Sequence, residues 1–237
     1  MRAICVSFAQ MLRQMKQDAM LTIIVFVPFV TGIVFKLAVP VAENLLTDHF
    51  STNTILSPYY ELFDLLLIIL TPGMLNCAAA MVMLEEADDY MTAYLAVTPL
   101  GRLGYLISRL GAANLMALPL SVALVWFFRV SDITVLMLIG AALSGTMQGM
   151  AVAFLIVSLS ANKVEGMAAA KMSALFNLGI LAPYFLKGKV QYFLSVFPSF
   201  WMAQAVHAVS WVSLAVSILL AILWIALLFN KFKRKIS

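Results

Sequence analysis

Four carboxylates, Glu85, Glu86, Asp88 and Asp89, fall within five positions of the stretch EEADDYMTAYLAVTPLGRLGY (85–105), in a chain of 237 residues that is 64% hydrophobic and only 11% charged. Acid–base or metal chemistry would need partners that the sequence does not bring near. The two histidines, His49 and His207, are far apart, and neither has a second metal-ligating residue at regular spacing. Serines are scattered through apolar runs, where a hydroxyl ordinarily bonds back to its own helix. No G-x-x-x-x-G-K-[ST] loop is present to wrap a phosphate, and GMAAAKMS at 166–173 lacks the second glycine before Lys171. The sequence therefore assigns no catalytic residue, no cofactor site and no metal site. The chemistry left to the acids is recognition or local charge balance.

Their surroundings are patterned. Ala87, Tyr90, Met91, Tyr94, Leu95 and Thr98 recur at intervals of three and four, which predicts a short amphipathic helix over 86–98. The acids fall in its first turn, where the helix dipole favours negative charge. Pro99 disfavours helical geometry at Thr98 and ends the element. Two glycines and Arg102 then turn the chain onward. A face of two tyrosines, a methionine and a leucine has no core of its own, so it either lies on a membrane or docks into a partner. Helices that bind anionic lipid carry Lys and Arg on the polar face, and this one carries acids, which favours docking. The plainer reading is a solvated charged loop at a helix exit.

The elements that hold this stretch follow from composition. A mean hydropathy of +1.02 is that of an integral membrane protein. A bilayer core of roughly 30 Å needs about 20 apolar residues per helix. Charge-free intervals of 17, 20, 19, 30 and 15 residues follow Asp18, Asp64, Arg109, Asp132 and Lys171, and a last one of 41 follows Lys189, broken by FPSFW at 197–201. The expected fold is an all-α membrane protein, a single domain over 1–237. Six transmembrane helices are placed at 19–41, 59–84, 105–128, 133–158, 172–186 and 204–230, with an outer re-entrant segment at 187–200. Long apolar runs lack the alternation of a membrane barrel. Residues 1–18 space Ile4, Phe8, Met11, Leu12 and Met15 at helical intervals, as in an amphipathic helix in the inner interface, and no cleavage site follows them. Cys5 and Cys77 indicate no disulfide framework. With both termini, 85–105 and 159–171 placed in the cytoplasm, 11 of the 15 basic residues lie inside, which fixes the orientation.

The run LEEADDYMTAYLAVTPLGRLGYLISRL (84–110) resembles the segment joining spans two and three in type-2 permeases of ATP-binding-cassette exporters. There an acidic residue leaves span two, a short coupling helix follows, and a Leu-x-x-[Ser/Thr]-Pro turn with a nearby base enters span three. The matching positions are Glu85 or Glu86, the helix to Val97, then Leu95, Thr98, Pro99 and Arg102. The outline of the whole chain matches as well. The resemblance implies that Glu85, Glu86, Asp88, Asp89, Tyr90, Met91, Tyr94, Leu95, Thr98, Pro99 and Arg102 form the contact with a separate ATPase. That partner, in two copies, would hold ATP and Mg, and a second permease copy, identical or related, would complete the unit in a prokaryotic plasma membrane. No nucleic-acid partner is implied. Similar short permeases serve multidrug exporters, fluoroquinolone exporters included, and self-immunity exporters for antimicrobial peptides.

In that family the path lies at the dimer interface between spans two and five. The resemblance thereby nominates Asn76, beside the kink-permitting Pro72-Gly73, and Phe176 with Asn177, as lining for an amphipathic drug, peptide or lipid-like substrate. The alternative for both asparagines is hydrogen bonding between helices. Glu61 and Asp64, one helical turn apart near Glu43, Asp48 and His49, are expected either to be solvated or paired with Lys187 and Lys189, or to form an outer acidic vestibule that releases cations. A secondary transporter would show an internal repeat and mid-membrane ionisable residues, which the sequence lacks. A non-transporting scaffold is the remaining alternative.

Overall fold

The computed structural model describes residues 2–51, 53–89, 101–186 and 188–236. Helix α1 (Arg2–Gln17) stops at Asp18, whose extended backbone lets its carboxylate accept from the N–H groups of Met20 (2.8 Å) and Leu21 (3.3 Å). This cap turns the chain into α2 (Ala19–Phe50), a 32-residue helix that runs well past the expected 41. A 3-10 turn (Ser57–Tyr59) opens α3 (Tyr60–Asp88). Next come α4 (Gly101–Leu106), a π-helical segment (Ile107–Gly111) and α5 (Ala112–Phe128), then α6 (Val135–Leu159).

The stretch expected to be span five is instead assembled from short pieces. These are α7 (Lys163–Ser173), a 3-10 helix (Ala174–Leu181) and α8 (Ala182–Phe185). A second 3-10 helix (Gly188–Val196) and α9 (Pro198–His207) lead to α10 (Trp211–Ile236). Span six, expected at 204–230, therefore begins later, because the chain breaks at 208–210, where Val209 takes a positive φ of 51°. Among the described residues, five helices are long and apolar enough to cross a membrane: Ala19–Phe50, Ser57–Asp88, Gly104–Phe128, Val135–Leu159 and Trp211–Lys233. No strand occurs among the described residues.

Helices α3 and α6 form the centre, while α2 and α10 expose apolar side chains such as Ile23, Phe26, Leu37, Val212, Leu219 and Leu227 at the periphery. The α3–α6 contact is close because Gly145 and Gly149 carry no side chain. A Cβ at Gly149 would sit 3.0 Å from the Pro72 carbonyl, and one at Gly145 would sit 3.2 Å from that of Ile68. Spacing of four between small residues lets membrane helices approach backbone to backbone. Two apolar clusters result. One, at the end that carries α1, joins Met11, Met15, Met81, Leu110, Phe154 and Phe232; the other, at the opposite end, joins Leu65, Ile68, Leu138, Met202, Val206 and Leu214.

Helix α3 corrects the expected boundary at 84. It stays helical through Glu85, Glu86, Ala87 and Asp88, and the N–H of Asp89 closes the last turn onto the Glu85 carbonyl (3.0 Å). These acids thus occupy the last turn of a 29-residue helix rather than the first turn of a separate one. The remainder of the helix expected over 86–98 lies outside the described residues, as do Tyr90, Met91, Tyr94, Leu95, Thr98 and Pro99.

Candidate functional site

The end of α3 gathers two charge networks, and both are built from this chain's own residues. Glu86 is 1% exposed and faces Arg109, which is 0% exposed. Arg109 Nε donates to Glu86 Oε2 (3.0 Å) while Nη2 pairs with Oε1, and the Tyr105 hydroxyl donates to Oε2 (2.9 Å). The second arm of the guanidinium, Nη1, reaches α1, donating to the Ser7 carbonyl and to Ser7 Oγ (3.1 Å). Ser7 Oγ also lies 3.2 Å from Ser108 Oγ. Arg109 lies in the π-helical segment. Ser108, Arg109 and Leu110 are buried in succession within it.

Burying two charges is tolerable only when hydrogen bonds satisfy what the pair leaves over, and here Tyr105 and Ser7 do so. The result is a clamp joining α1, the end of α3 and the π-helical entry to α5. It brackets residues 90–100 at both ends.

The second network is more exposed. Lys163 Nζ donates to Asp18 (2.7 Å) and to Glu85 (3.0 Å), and the Lys163 N–H donates to Asp88 Oδ2 (3.0 Å) at the first turn of α7. Asn162 caps that helix, accepting from the Glu165 N–H (2.9 Å), with Glu165 reaching back to the Ala161 N–H (2.6 Å). The hydrogen bond from Lys163 holds the Asp18 carboxyl below its ordinary value. Partial burial works against the Lys163 charge, yet the bonds to Asp18 and Glu85 outweigh it and raise its pKa.

At the opposite end Asp64 is 1% exposed and is not part of an open vestibule. Its carboxylate accepts from the N–H groups of Val130 and Ser131 (both 3.0 Å) and from the Ser131 hydroxyl, holding the turn between α5 and α6. Glu43 is similarly engaged by the N–H groups of Ile55 (3.0 Å) and Leu56 (2.5 Å). Glu61 remains partly exposed, 3.3 Å from the Tyr184 hydroxyl and 3.6 Å from His207 Nδ1. Lys187 lies outside the described residues.

Asn76 is fully buried and donates to the Pro72 carbonyl (2.9 Å) and to Asn114 Oδ1 (3.1 Å), so it joins helices instead of lining a path. Phe176 is buried between Phe197 (5.2 Å between ring centres) and Trp224 (5.0 Å). Its carbonyl, released by the 3-10 geometry, accepts from Ser199 and lies 3.5 Å from Gln148 Nε2. Asn177 alone of these three lines a groove. This opening of about 620 Å³ lies between α2, α3, α6, α7 and the 3-10 segment, walled by Met20, Met74, Met81 and Met167 and edged by the Gln148–Asn177 amide pair (2.9 Å).

Ser7, Tyr105 and Arg109 were not among the residues the sequence nominated. A signal was available: Tyr105, Ser108 and Arg109 are spaced at three and four, placing a cation and two hydroxyls on one face of an otherwise apolar helix. Arg102 lies in α4.

A bundle of long apolar helices with a groove between them fits a permease, and a family model decides the matter. It is described as "Fluoroquinolones export permease protein Rv2686c-like" and matches residues 11–229. The chain belongs to that family. No curated protein and no solved structure matches the chain. As an Rv2686c-like export permease it is a multi-pass membrane protein and the membrane part of a transporter, not a catalytic enzyme, in agreement with the exporter-permease resemblance of residues 84–110. In the family's terms, both charge networks and the groove lie within the matched residues, save Ser7.

Proposed function

We propose that this chain is the membrane subunit of an ATP-driven exporter, working as a pair of permeases with two copies of a separate ATP-binding-cassette ATPase that holds ATP and Mg. Residues 90–100 form the contact with that ATPase at the cytoplasmic face. The observation that carries this reading is the buried clamp of Glu86, Arg109, Tyr105 and Ser7. It ties α3, α5 and α1 together at the two ends of residues 90–100, and that is the mechanical requirement for coupling to a subunit outside the membrane. Glu85, Glu86 and Asp88 stiffen the handle from within, and the unassigned aromatic residues Tyr90 and Tyr94 provide its docking face.

Six crossings are supported by the course of residues 163–185. Lys163 bonds to Glu85 at one end of α3, and Tyr184 reaches Glu61 at the other, so these residues traverse the full length of that helix. With Phe232 packed near Met11 and Met15, both termini then fall on one side, which we take as cytoplasmic. The substrate is an amphipathic molecule, fluoroquinolones being the class to test first, and it passes along the groove.

The test is co-purification and transport. Co-expressed with the ATPase of an adjacent reading frame, the wild-type chain should retain that ATPase and lower fluoroquinolone accumulation in inverted-vesicle or whole-cell assays. Scrambling residues 90–98 while leaving Glu86 and Arg109 in place should abolish both. Undiminished retention of the ATPase by the scrambled chain would sink the coupling proposal.

A further inference from the structure

The groove carries a charge that no carboxylate among the described residues answers. Lys171 lies eight residues beyond Lys163, about 12 Å along the axis of α7 and so inward of the charged corner. Among the residues lining the groove it alone bears a formal charge. Its side chain is exposed, and among the described residues no carboxylate pairs with it and no hydrogen bond holds it. Most acids at that end of the bundle are committed elsewhere: Glu85 and Asp18 to Lys163, Glu86 to Arg109, Asp88 to the start of α7 and Glu165 to the Ala161 N–H, while Asp89 lies exposed at the end of α3. Lys171 is thus an exposed cation at the edge of an otherwise apolar groove. A second copy of the chain cannot supply the counter-ion from the same position, since it would present another lysine.

We propose that the groove binds a carboxylate-bearing amphiphile, its carboxylate on Lys171 Nζ and its apolar body against the methionine walls. Methionine side chains are unbranched and polarizable, so they mould to bodies of differing shape while the single cation selects the head. The Gln148–Asn177 amides offer a polar edge deeper in. Cations have no acid to meet there, which is the reverse of the specificity that Glu61 and Asp64 suggest from sequence alone. The proposal deepens the exporter reading and rests on it only for treating the bound molecule as cargo.

The purified full chain in phosphatidylcholine nanodiscs, without any ATPase, is titrated with dansyl-undecanoic acid and with its methyl ester. The acid should bind about tenfold more tightly than the ester, the worth of one charge-assisted contact. Lys171→Gln should erase that difference and Lys171→Arg should keep it. Gly73 also lines the groove, and a Cβ there meets nothing within 4 Å, so Gly73→Leu should fold and weaken both ligands by filling the space. Melting temperatures equal to wild type establish that the variants are folded. Equal binding of acid and ester, or an unchanged preference in Lys171→Gln, overturns the proposal. Displacement of the acid by phosphatidylglycerol placed in the discs overturns it in favour of a lipid headgroup. Carboxylate selectivity without ATP-driven export would count against the exporter reading and leave the site standing; export without selectivity would do the opposite.

Discussion

Glu86 and Arg109 are worth more to each other than to anything outside the chain. Removing one partner leaves an unpaired buried charge, so Glu86→Gln and Arg109→Met should each destabilise the purified protein by about 3–5 kcal/mol. The double variant Glu86→Leu/Arg109→Met should recover much of that loss, because it removes the desolvation cost together with the attraction. Thermal unfolding in detergent measures this cycle, and additive losses would show that the two side chains do not act as a pair. The same pair shows how far single residues were legible in the sequence. That acids cluster at 85–89 is plain from composition, and so is their nearness to a helix end. Which of them is buried was not, because the answer depends on where Arg109, more than twenty residues later and on another helix, meets the end of α3. Asp64 was misjudged for a related reason: periodicity put it on a face with Glu61, while the 129–132 turn that covers it comes from the far end of another helix.

At the scale of elements, the corner where α2, α3 and α7 meet depends on ionisation. Asp18 has a lowered pKa in the folded chain, so its contribution is present above its ordinary value of 3.8 and is lost as pH falls through the lower folded value. Lys163 has a raised one, so its contribution is complete below 10.5 and is lost as pH climbs through the higher folded value. A Lys163→Met variant should therefore melt below wild type throughout the range between these limits, and the gap should close outside it. Packing sets a second expectation. Gly149→Ala would press a methyl group against the Pro72 carbonyl and should cost about 1–3 kcal/mol, read as a lower melting temperature, whereas Gly73→Ala should be tolerated. The long helices were legible because charge-free intervals mark them directly. The 3-10 winding inside the stretch expected as span five was not, since Phe176, Asn177 and Gly179 look like ordinary helix residues until Ser199 is seen donating to the Phe176 carbonyl and Gln148 to the Asn177 side chain.

For the whole molecule, membership of an export permease family and the course of the helices together predict a sidedness. In a background with Cys77→Ala, the natural Cys5 on α1 should react with a membrane-impermeant maleimide only after cells are permeabilised. Asn53→Cys, in the exposed turn after α2 and with Cys5 also removed, should react in intact cells. Labelling of both from outside would invert the orientation or break the count of crossings.

The segment Ala174–Leu181 has one more consequence, and it concerns length. Eight residues wound as a 3-10 helix span about 16 Å, and the same eight wound as an α-helix span about 12 Å. Its two flanks are tethered to opposite ends of α3, through Lys163 on one side and Tyr184 on the other. The tighter winding therefore lets this segment keep pace with α3: rewound as an α-helix it would fall about 4 Å short of one of its two tethers.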